Sequence, residues 1–79
     1  MKFSITVTLK KDVLDPQGKV VQNTLLNLGF AQLKSIRQGK FFEVELNEKN
    51  ESDAKNEIKQ MCEKLLVNQI IEDFKIDKI

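Results

Sequence analysis

Apolar and polar residues alternate without a break through Lys2–Lys10. This period of two predicts a half-buried β-strand. The polar face carries no charge through its middle, which leaves it free to meet another surface. The apolar side holds Phe3, Ile5, Val7 and Leu9, and the polar side holds Ser4, Thr6, Thr8 and Lys10.

A first helix follows a short connection over residues 11–15. Asp15 accepts a backbone N–H as an N-cap, and Pro16 suits the first helical position. Val21, Leu25 and Leu28 then recur at helical spacing. Gly29 ends this pattern because glycine adopts the left-handed conformation that terminates many helices. We therefore predict a helix from residue 16 to residue 28.

Two strands are predicted next, joined at Gln38-Gly39. Ala31–Arg37 forms a short strand with a less regular pattern, and Lys40–Leu46 forms the next one. Glycine supplies the positive φ of a tight hairpin turn, although glutamine is not the preferred first residue. The apolar face of the second of these strands holds Phe42, Val44 and Leu46, opposite Phe41, Glu43 and Glu45.

The strongest helical pattern lies in the second half of the chain, where Asn50 or Ser52 can cap its start. Asn68 is placed to end this helix, and Ile70–Ile79 is predicted as a last strand. Its apolar positions keep the i, i+4, i+7 spacing of an amphipathic helix and are Ala54, Ile58, Met61, Cys62, Leu65 and Leu66.

The order of elements is therefore β-α-β-β-α-β within one domain, residues 1–79. This order predicts an α+β fold of ferredoxin-like type, with an antiparallel sheet and two helices packed on one face. A chain of this size has a thin margin of stability, and association with a partner is a common remedy.

Composition excludes several function classes. Thirteen Lys and Arg face twelve Asp and Glu, so the basic footprint of a nucleic-acid-binding protein is missing. The chain has no His, which removes the commonest acid–base group at neutral pH and any Cys–His catalytic pair. No apolar run approaches a membrane span, and a single Cys fits a reducing cytoplasm.

Candidate sites each have a structural explanation beside a functional one. Cys62 lies in the apolar stripe of the second helix, where a core thiol is favoured over a nucleophile. Asp15-Pro16-Gln17-Gly18 is a helix start, but Gly18 is unexplained there unless a partner approaches the backbone closely. Arg37 and Lys40 flank the predicted turn as solvated charges or as partner contacts.

The chain resembles the PurS family, the small subunit of bacterial and archaeal phosphoribosylformylglycinamidine synthase, over essentially its whole length. Gln69 stands where this family often has Pro, and Phe74 where it often has Tyr. The motifs that carry the resemblance are Leu9-Lys10, Val13-Leu14-Asp15-Pro16-Gln17-Gly18, Leu28-Gly29, Ile36-Arg37-Gln38-Gly39-Lys40, Leu65-Leu66-Val67-Asn68 and Ile71-Glu72-Asp73-Phe74.

The resemblance implies a PurS-like fold and a non-catalytic role in purine biosynthesis. The complex converts formylglycinamide ribonucleotide to formylglycinamidine ribonucleotide with ATP and glutamine. ATP and Mg²⁺ are expected on a large ligase subunit (PurL-type), and a glutaminase subunit (PurQ-type) produces ammonia. PurS-like subunits self-associate, bridge the two partners and assist ammonia transfer. The expected interface residues are Lys10, Asp15, Pro16, Gln17, Gly18, Arg37, Gly39, Lys40 and Asn68.

Two other function classes stay open from the residues alone. A stand-alone ferredoxin-like module could sense a small metabolite at a strand–helix junction near Gly18 or Gly29. A small hydrolase of the same topology would need a phosphate-cradling loop, which the sequence does not show. No cofactor or metal is expected on this chain.

Overall fold

A computed structural model describes residues 1–79. Three strands form one antiparallel sheet in the order β2-β1-β3, so β2 and β3 are both edge strands. The α+β class, the antiparallel sheet and the two helices are confirmed. No helix has the length and apolar character needed to cross a bilayer. The elements are β1 (Lys2–Leu9), α1 (Pro16–Asn27), β2 (Gly39–Glu45), α2 (Glu51–Met61), a π-helical turn (Cys62–Leu66) and β3 (Glu72–Lys78).

The core lies between β1 and α2. The apolar side chains Phe3, Ile5 and Val7 of β1 have no exposed surface, as the alternating pattern predicts. From the other side, α2 and the turn after it contribute Ala54, Ile58 and Cys62, which are also fully buried. Only 10 of the 79 residues are buried, so this chain forms a small core for its length.

Both ends of α1 form as predicted. The carboxylate of Asp15 accepts the N–H of Gly18 and caps the start. At the other end Gly29 has a φ of +104°. The N–H of Phe30 donates to Leu25 O and that of Gly29 donates to Leu26 O, which is the double closure of a Schellman motif.

The predicted second strand, Ala31–Arg37, is not paired within this chain. The hairpin turn at Gln38-Gly39 does not form, and Gly39 instead begins β2 opposite Thr8. Residues 33–37 run back beside α1, where Leu33 and Ile36 are half-buried. Because no strand lies beside them, the backbone groups of residues 34–37 make no hydrogen bond within the chain.

Helix α1 does not pack on the sheet, although both helices were predicted to cover one face. No α1 side chain belongs to the core or packs against it, and Gly18 is the only buried residue of the helix. We call residues 14–38 the arm, because α1 and the segment returning beside it project from the sheet. The rest of the chain, residues 1–13 and 39–79, is the body.

The projecting arm leaves an unusually large surface. The radius of gyration is 16.0 Å, whereas a compact chain of this length has about 12 Å. The accessible surface is 6100 Å², whereas a compact monomer of 9.1 kDa exposes about 4,900 Å². The excess of about 1,200 Å² is surface that a single chain leaves uncovered.

The second helix changes its winding before it ends. Asn50 caps α2 by accepting the N–H of Asp53, one of the two caps that the sequence predicts. At Cys62–Leu66 the helix widens into a π-helical turn, closed by Val67 N–H donating to Cys62 O. The wider turn leaves Leu65 84% exposed while Val67 enters the core.

Candidate functional site

All nine residues expected at an interface lie at one end of the sheet. The arm meets the body here, where β1 ends, β2 begins and the chain enters β3. Three segments far apart in sequence are therefore brought together: the helix start at residues 15–18, residues 37–40, and residues 68–73. Hydrogen bonds and an ion pair of their side chains hold these segments together.

Asp15 joins the start of α1 to the start of β2. Its Oδ1 accepts the N–H of Gly18 at 3.0 Å, and its Oδ2 accepts the N–H of Gln38 at 2.7 Å. Those two hydrogen bonds, from Gln38 first and Gly18 second, lower the pKa of Asp15 below its ordinary value, and the nearby Arg37 charge adds to them. Asp15 is thus a fixed carboxylate, although the sequence showed only its capping role.

Gly18 has a reason within the chain for lacking a side chain. A Cβ built at this position would collide with the Asp15 Oδ2 atom and lie 3.1 Å from Ile36 O. The Asp15 carboxylate can lie against the start of α1, and residues 33–37 can pass beside it, only because Gly18 has no side chain. Close approach does explain Gly18, but the approaching groups belong to the same chain.

Arg37 holds the loop between β1 and α1. Its guanidinium donates to three backbone carbonyls, at 3.3 Å to Lys10 O, 3.1 Å to Lys11 O and 2.9 Å to Val13 O. A planar group with five N–H donors suits several acceptors at once, which lysine could not match. Arg37 therefore fixes the base of the arm, and its role as a partner contact stays a prediction.

Glu72 anchors the entry to β3. Its Oε1 accepts the N–H of Asn68 at 2.8 Å, and its Oε2 lies 3.3 Å from the ammonium of Lys40. The Glu72 side chain is only 10% exposed, so the ion pair with Lys40 is partly screened from water. The Glu72 N–H also donates to Asn68 O, which closes the turn that brings the chain from the π-helical turn into β3.

Five of the nine expected residues line a cleft of about 460 Å³ between the arm and the body, whereas Gly18, Arg37 and Asn68 lie outside it. Its wall is partly set by the amide of Gln38, which donates to Gln17 Oε1 at 2.9 Å. Lys10 lies outside this cleft, and its ammonium is 4.0 Å from an Asp73 oxygen. The cleft is lined by Val7, Leu9, Asp15, Pro16, Gln17, Gln38, Gly39, Lys40 and Glu72.

The ionisable groups of this region are engaged in structural bonds. Asp15 has a lowered pKa and two backbone donors, which makes it a poor proton acceptor at neutral pH. Burial raises the pKa of the Cys62 thiol, which leaves it a poor nucleophile. The bonds of Asp15 and Glu72 can hold the arm and the body in a fixed relation to each other.

The lowered pKa of Asp15 gives a testable pH dependence. We expect Asp15→Asn to lower the urea midpoint of unfolding at pH 7, because the amide nitrogen cannot accept the N–H of Gln38. The contribution of the carboxylate is fully present above its unfolded pKa of about 3.9, and it is lost as pH falls through the lower folded-state pKa. The difference between variant and parent should therefore shrink in acid.

Asp12→Asn is the control for that measurement, because Asp12 is an exposed carboxylate in the same loop. Urea unfolding is followed from pH 7 downward through the acid range, where the lowered pKa of Asp15 places the transition. Parallel midpoint curves for the parent and Asp15→Asn over the whole range would contradict the assignment.

Comparison with known proteins connects this geometry to a family. The family model "PurS: Phosphoribosylformylglycinamidine (FGAM) synthase" matches residues 2–79. The PurS subunit of FGAM synthase from Bacillus subtilis is 41% identical over 76 residues, which cover 96% of this chain and 89% of that protein. The chain belongs to the PurS family. The PurS subunit from Methanocaldococcus jannaschii is 38% identical, with 99% of this chain and 96% of that protein covered.

Solved PurS structures share the fold. A chain in the structure described as PurLQS from Thermotoga maritima superposes with a TM-score of 0.90 at 31% identity, covering 99% of this chain and 95% of that one. B. subtilis PurS superposes with a TM-score of 0.86 at 41% identity, covering 96% of this chain and 94% of that one. The superposition with the T. maritima chain covers 99% of this chain, so it extends over the residues of the arm.

Two residues of the site were missed as candidates from the sequence. Gln38 was assigned to a turn, whereas its N–H reaches Asp15 and its side chain reaches Gln17. Glu72 was not among the candidates, although it shares the parity of the apolar residues Ile70 and Phe74 in the last strand, and that placement was the available signal. A carboxylate on the inward side of a strand usually has a partner, here Lys40 and the Asn68 N–H.

Proposed function

We propose that this chain is the small, non-catalytic subunit of an FGAM synthase complex. In that role it helps a ligase subunit and a glutaminase subunit to convert formylglycinamide ribonucleotide to formylglycinamidine ribonucleotide. The observation that carries the proposal is the match of a PurS family model to residues 2–79. A relative at 31% identity lies in a structure described as PurLQS, which supports a ligase and a glutaminase subunit as partners.

The absence of an active site on this chain is supported by the state of its candidate groups. Each carboxylate oxygen of Asp15 accepts a backbone N–H. The Glu72 carboxylate pairs with the Lys40 ammonium and accepts the N–H of Asn68. Cys62 has no exposed surface. We assign ATP and Mg²⁺ to the large subunit, and the cytoplasmic location expected from the sequence stays a prediction.

Self-association is the second part of the proposal. The uncovered surface of about 1,200 Å² per chain exceeds the roughly 800 Å² that each partner buries in an interface of standard size. Apolar residues dominate that surface on the arm, where Leu14 and Leu28 are both 70% exposed. Burying such residues against a second copy would offset the small core of the single chain.

A metabolite-sensing role has less support. The cleft at residues 15–18 and 37–40 is open, and its polar groups already bond to one another. A ligand would have to compete with these bonds.

Reconstitution tests the proposed function. Glutamine-dependent FGAM formation is measured with the ligase and glutaminase subunits, with and without this chain. We expect the rate to be at least about tenfold lower without it, because ammonia released into water loses the high effective concentration of a bound reactant. The control is the rate with an ammonium salt in place of glutamine, which should change little. Equal glutamine-dependent rates in both mixtures would contradict the proposal.

A further inference from the structure

A second cleft lies at the base of the arm. It has a volume of about 380 Å³ and shares only Asp15 with the cleft described above. Its walls come from the loop at residues 11–15, from the start of α1 and from residues 35–37. Small-molecule sites often lie where two parts of a molecule meet, and here the arm meets the body.

Three cationic side chains line this second cleft. Lys11 comes from the loop after β1, Lys19 from the start of α1, and Arg37 from the segment that returns beside α1. None of the three forms an ion pair with a carboxylate. Like charges around one cleft repel one another, and a bound anion would remove that repulsion.

Two carboxylates also line the cleft, but they do not neutralise it. Each oxygen of Asp15 already accepts a backbone N–H, from Gly18 at 3.0 Å and from Gln38 at 2.7 Å. Asp12 is exposed and carries the other negative charge. Three cations against two carboxylates leave a net positive charge, which attracts anions into a cleft.

Hydrogen-bond donors in the lining remain available to a ligand. The side chains of Gln22 and Ser35 make no hydrogen bond within the chain. Arg37 donates three N–H groups to backbone carbonyls, and the guanidinium has five. The first cleft differs, because its polar groups bond to one another.

The size of the second cleft suits a small ligand. Small-molecule sites have volumes of about 300–1,000 Å³, so this cleft has room for a phosphate group and one ring but not for a dinucleotide. Apolar side chains provide the part of the wall that a ring can contact. Val13 and Ile36 are half-buried there, and Leu14 is exposed.

We propose that this cleft binds the phosphate group of a small phosphate monoester. The ammonium groups of Lys11 and Lys19 pair with the phosphate oxygens, and the hydroxyl of Ser35 and the remaining N–H groups of Arg37 donate to them. The carbon skeleton of the ligand lies against Val13. This site goes beyond the proposed role in FGAM synthase and does not depend on it.

A phosphate monoester matches these donors better than a carboxylate does. It carries a charge of about −1.5 to −2 at pH 7 and three strong acceptor oxygens, whereas a carboxylate has a single charge shared by two oxygens. The bound phosphate would bridge the loop at residues 11–15 to residues 35–37, the two segments that Arg37 already joins. Binding should therefore stabilise the base of the arm.

Titration of the full chain with ribose 5-phosphate tests the site. Amide chemical shifts of the ¹⁵N-labelled protein are followed at constant ionic strength, because salt screens charged contacts. We expect saturable shifts at residues 11–15, at the start of α1 and at residues 35–37. Ribose is the neutral control and should cause none. Inorganic phosphate should compete for the same amides with lower affinity, because it lacks the carbon skeleton.

Two results of this titration would overturn the proposal. One is that ribose 5-phosphate causes no saturable shifts in these segments. The other is that inorganic phosphate binds there and ribose 5-phosphate does not.

Charge-removing variants identify the residues that hold the phosphate. We expect Lys19→Gln and Lys11→Gln each to raise the dissociation constant for ribose 5-phosphate at least about tenfold, because each loses a charge-assisted hydrogen bond. Lys34→Gln is the matched control, since Lys34 is exposed and lies outside the cleft. Equal affinities of Lys19→Gln and Lys34→Gln would show attraction to surface charge in general and would refute the site.

The amide spectrum of each variant also reports whether it is folded, so a loss of binding can be separated from a loss of structure. Failure of binding would refute this site and leave the reconstitution of FGAM formation unchanged. Equal glutamine-dependent rates in that reconstitution would contradict the subunit role and leave this site standing.

Discussion

Phe3→Ala is expected to lower the free energy of unfolding by about 3–5 kcal/mol. Phe3 has no exposed surface and lies in the central strand, against the small set of apolar side chains that forms the core. Truncation removes the buried ring and leaves a cavity that flanking strands can fill only in part. A chain of 79 residues has a total stability of about 4–12 kcal/mol, so this single change removes a large part of it.

Phe41→Ala is the matched control, since the same ring is removed from a side chain that is 63% exposed. We expect a loss below about 1 kcal/mol there. Urea unfolding must be followed at one protein concentration, because self-association adds to the apparent stability. Similar losses for both variants would mean that the core is not where the structure places it.

The second large effect concerns association. Leu28→Asp is expected to raise the dissociation constant of the proposed dimer by at least about 100-fold, or roughly 2.7 kcal/mol, because it would bury an unpaired charge in place of an apolar side chain of the arm. Leu28 is 70% exposed in the single chain, so the fold of each chain should change little. Sedimentation over a range of concentrations measures the constant.

Lys19→Asp is the control for this change, because it alters the charge of the same helix on the side away from Val20 and Leu28. We expect its dissociation constant to stay within a few-fold of the parent value. Far-UV circular dichroism checks that both variants keep their helices. A Leu28→Asp chain that associates like the parent would show that this side of α1 is not part of the interface.

Local patterns in the sequence were sufficient for most elements of the fold. The alternation in β1, the Asp15 cap, the stop at Gly29 and the amphipathic pattern of α2 each reflect interactions within a few residues. The direction of the arm does not follow from such local interactions. It depends on whether the backbone at Gln38-Gly39 forms a hairpin turn or stays extended. The residue types at 38 and 39 are compatible with both conformations. In the extended conformation, Arg37 donates hydrogen bonds to a loop that lies 24–27 residues earlier in the chain.

In the candidate site, too, local features could be predicted from the sequence and long-range contacts could not. The motifs predicted which segments matter, and the structure brings most of them to one end of the sheet, whereas Leu28-Gly29 ends α1 at the far end of the arm. What the sequence could not show is that Asp15 bonds Gln38 and that Glu72 bonds Lys40, since these partners are 23 and 32 positions apart. Gly18 was interpreted as room for a partner, whereas Asp15 and Ile36 of the same chain fill that room.

The π-helical turn after α2 is a place where the chain can lose one residue without losing its phase. A turn closed from Val67 N–H to Cys62 O contains one residue more than an α-helical turn. Deleting one of the exposed residues Glu63 or Lys64 would let the same two groups close an ordinary α-helical turn. Val67 would then stay in the core, and the entry to β3 would keep its place relative to α2. A one-residue gap is therefore expected to be tolerated here, whereas a one-residue gap inside β1 would move its apolar side chains to the other face of the sheet.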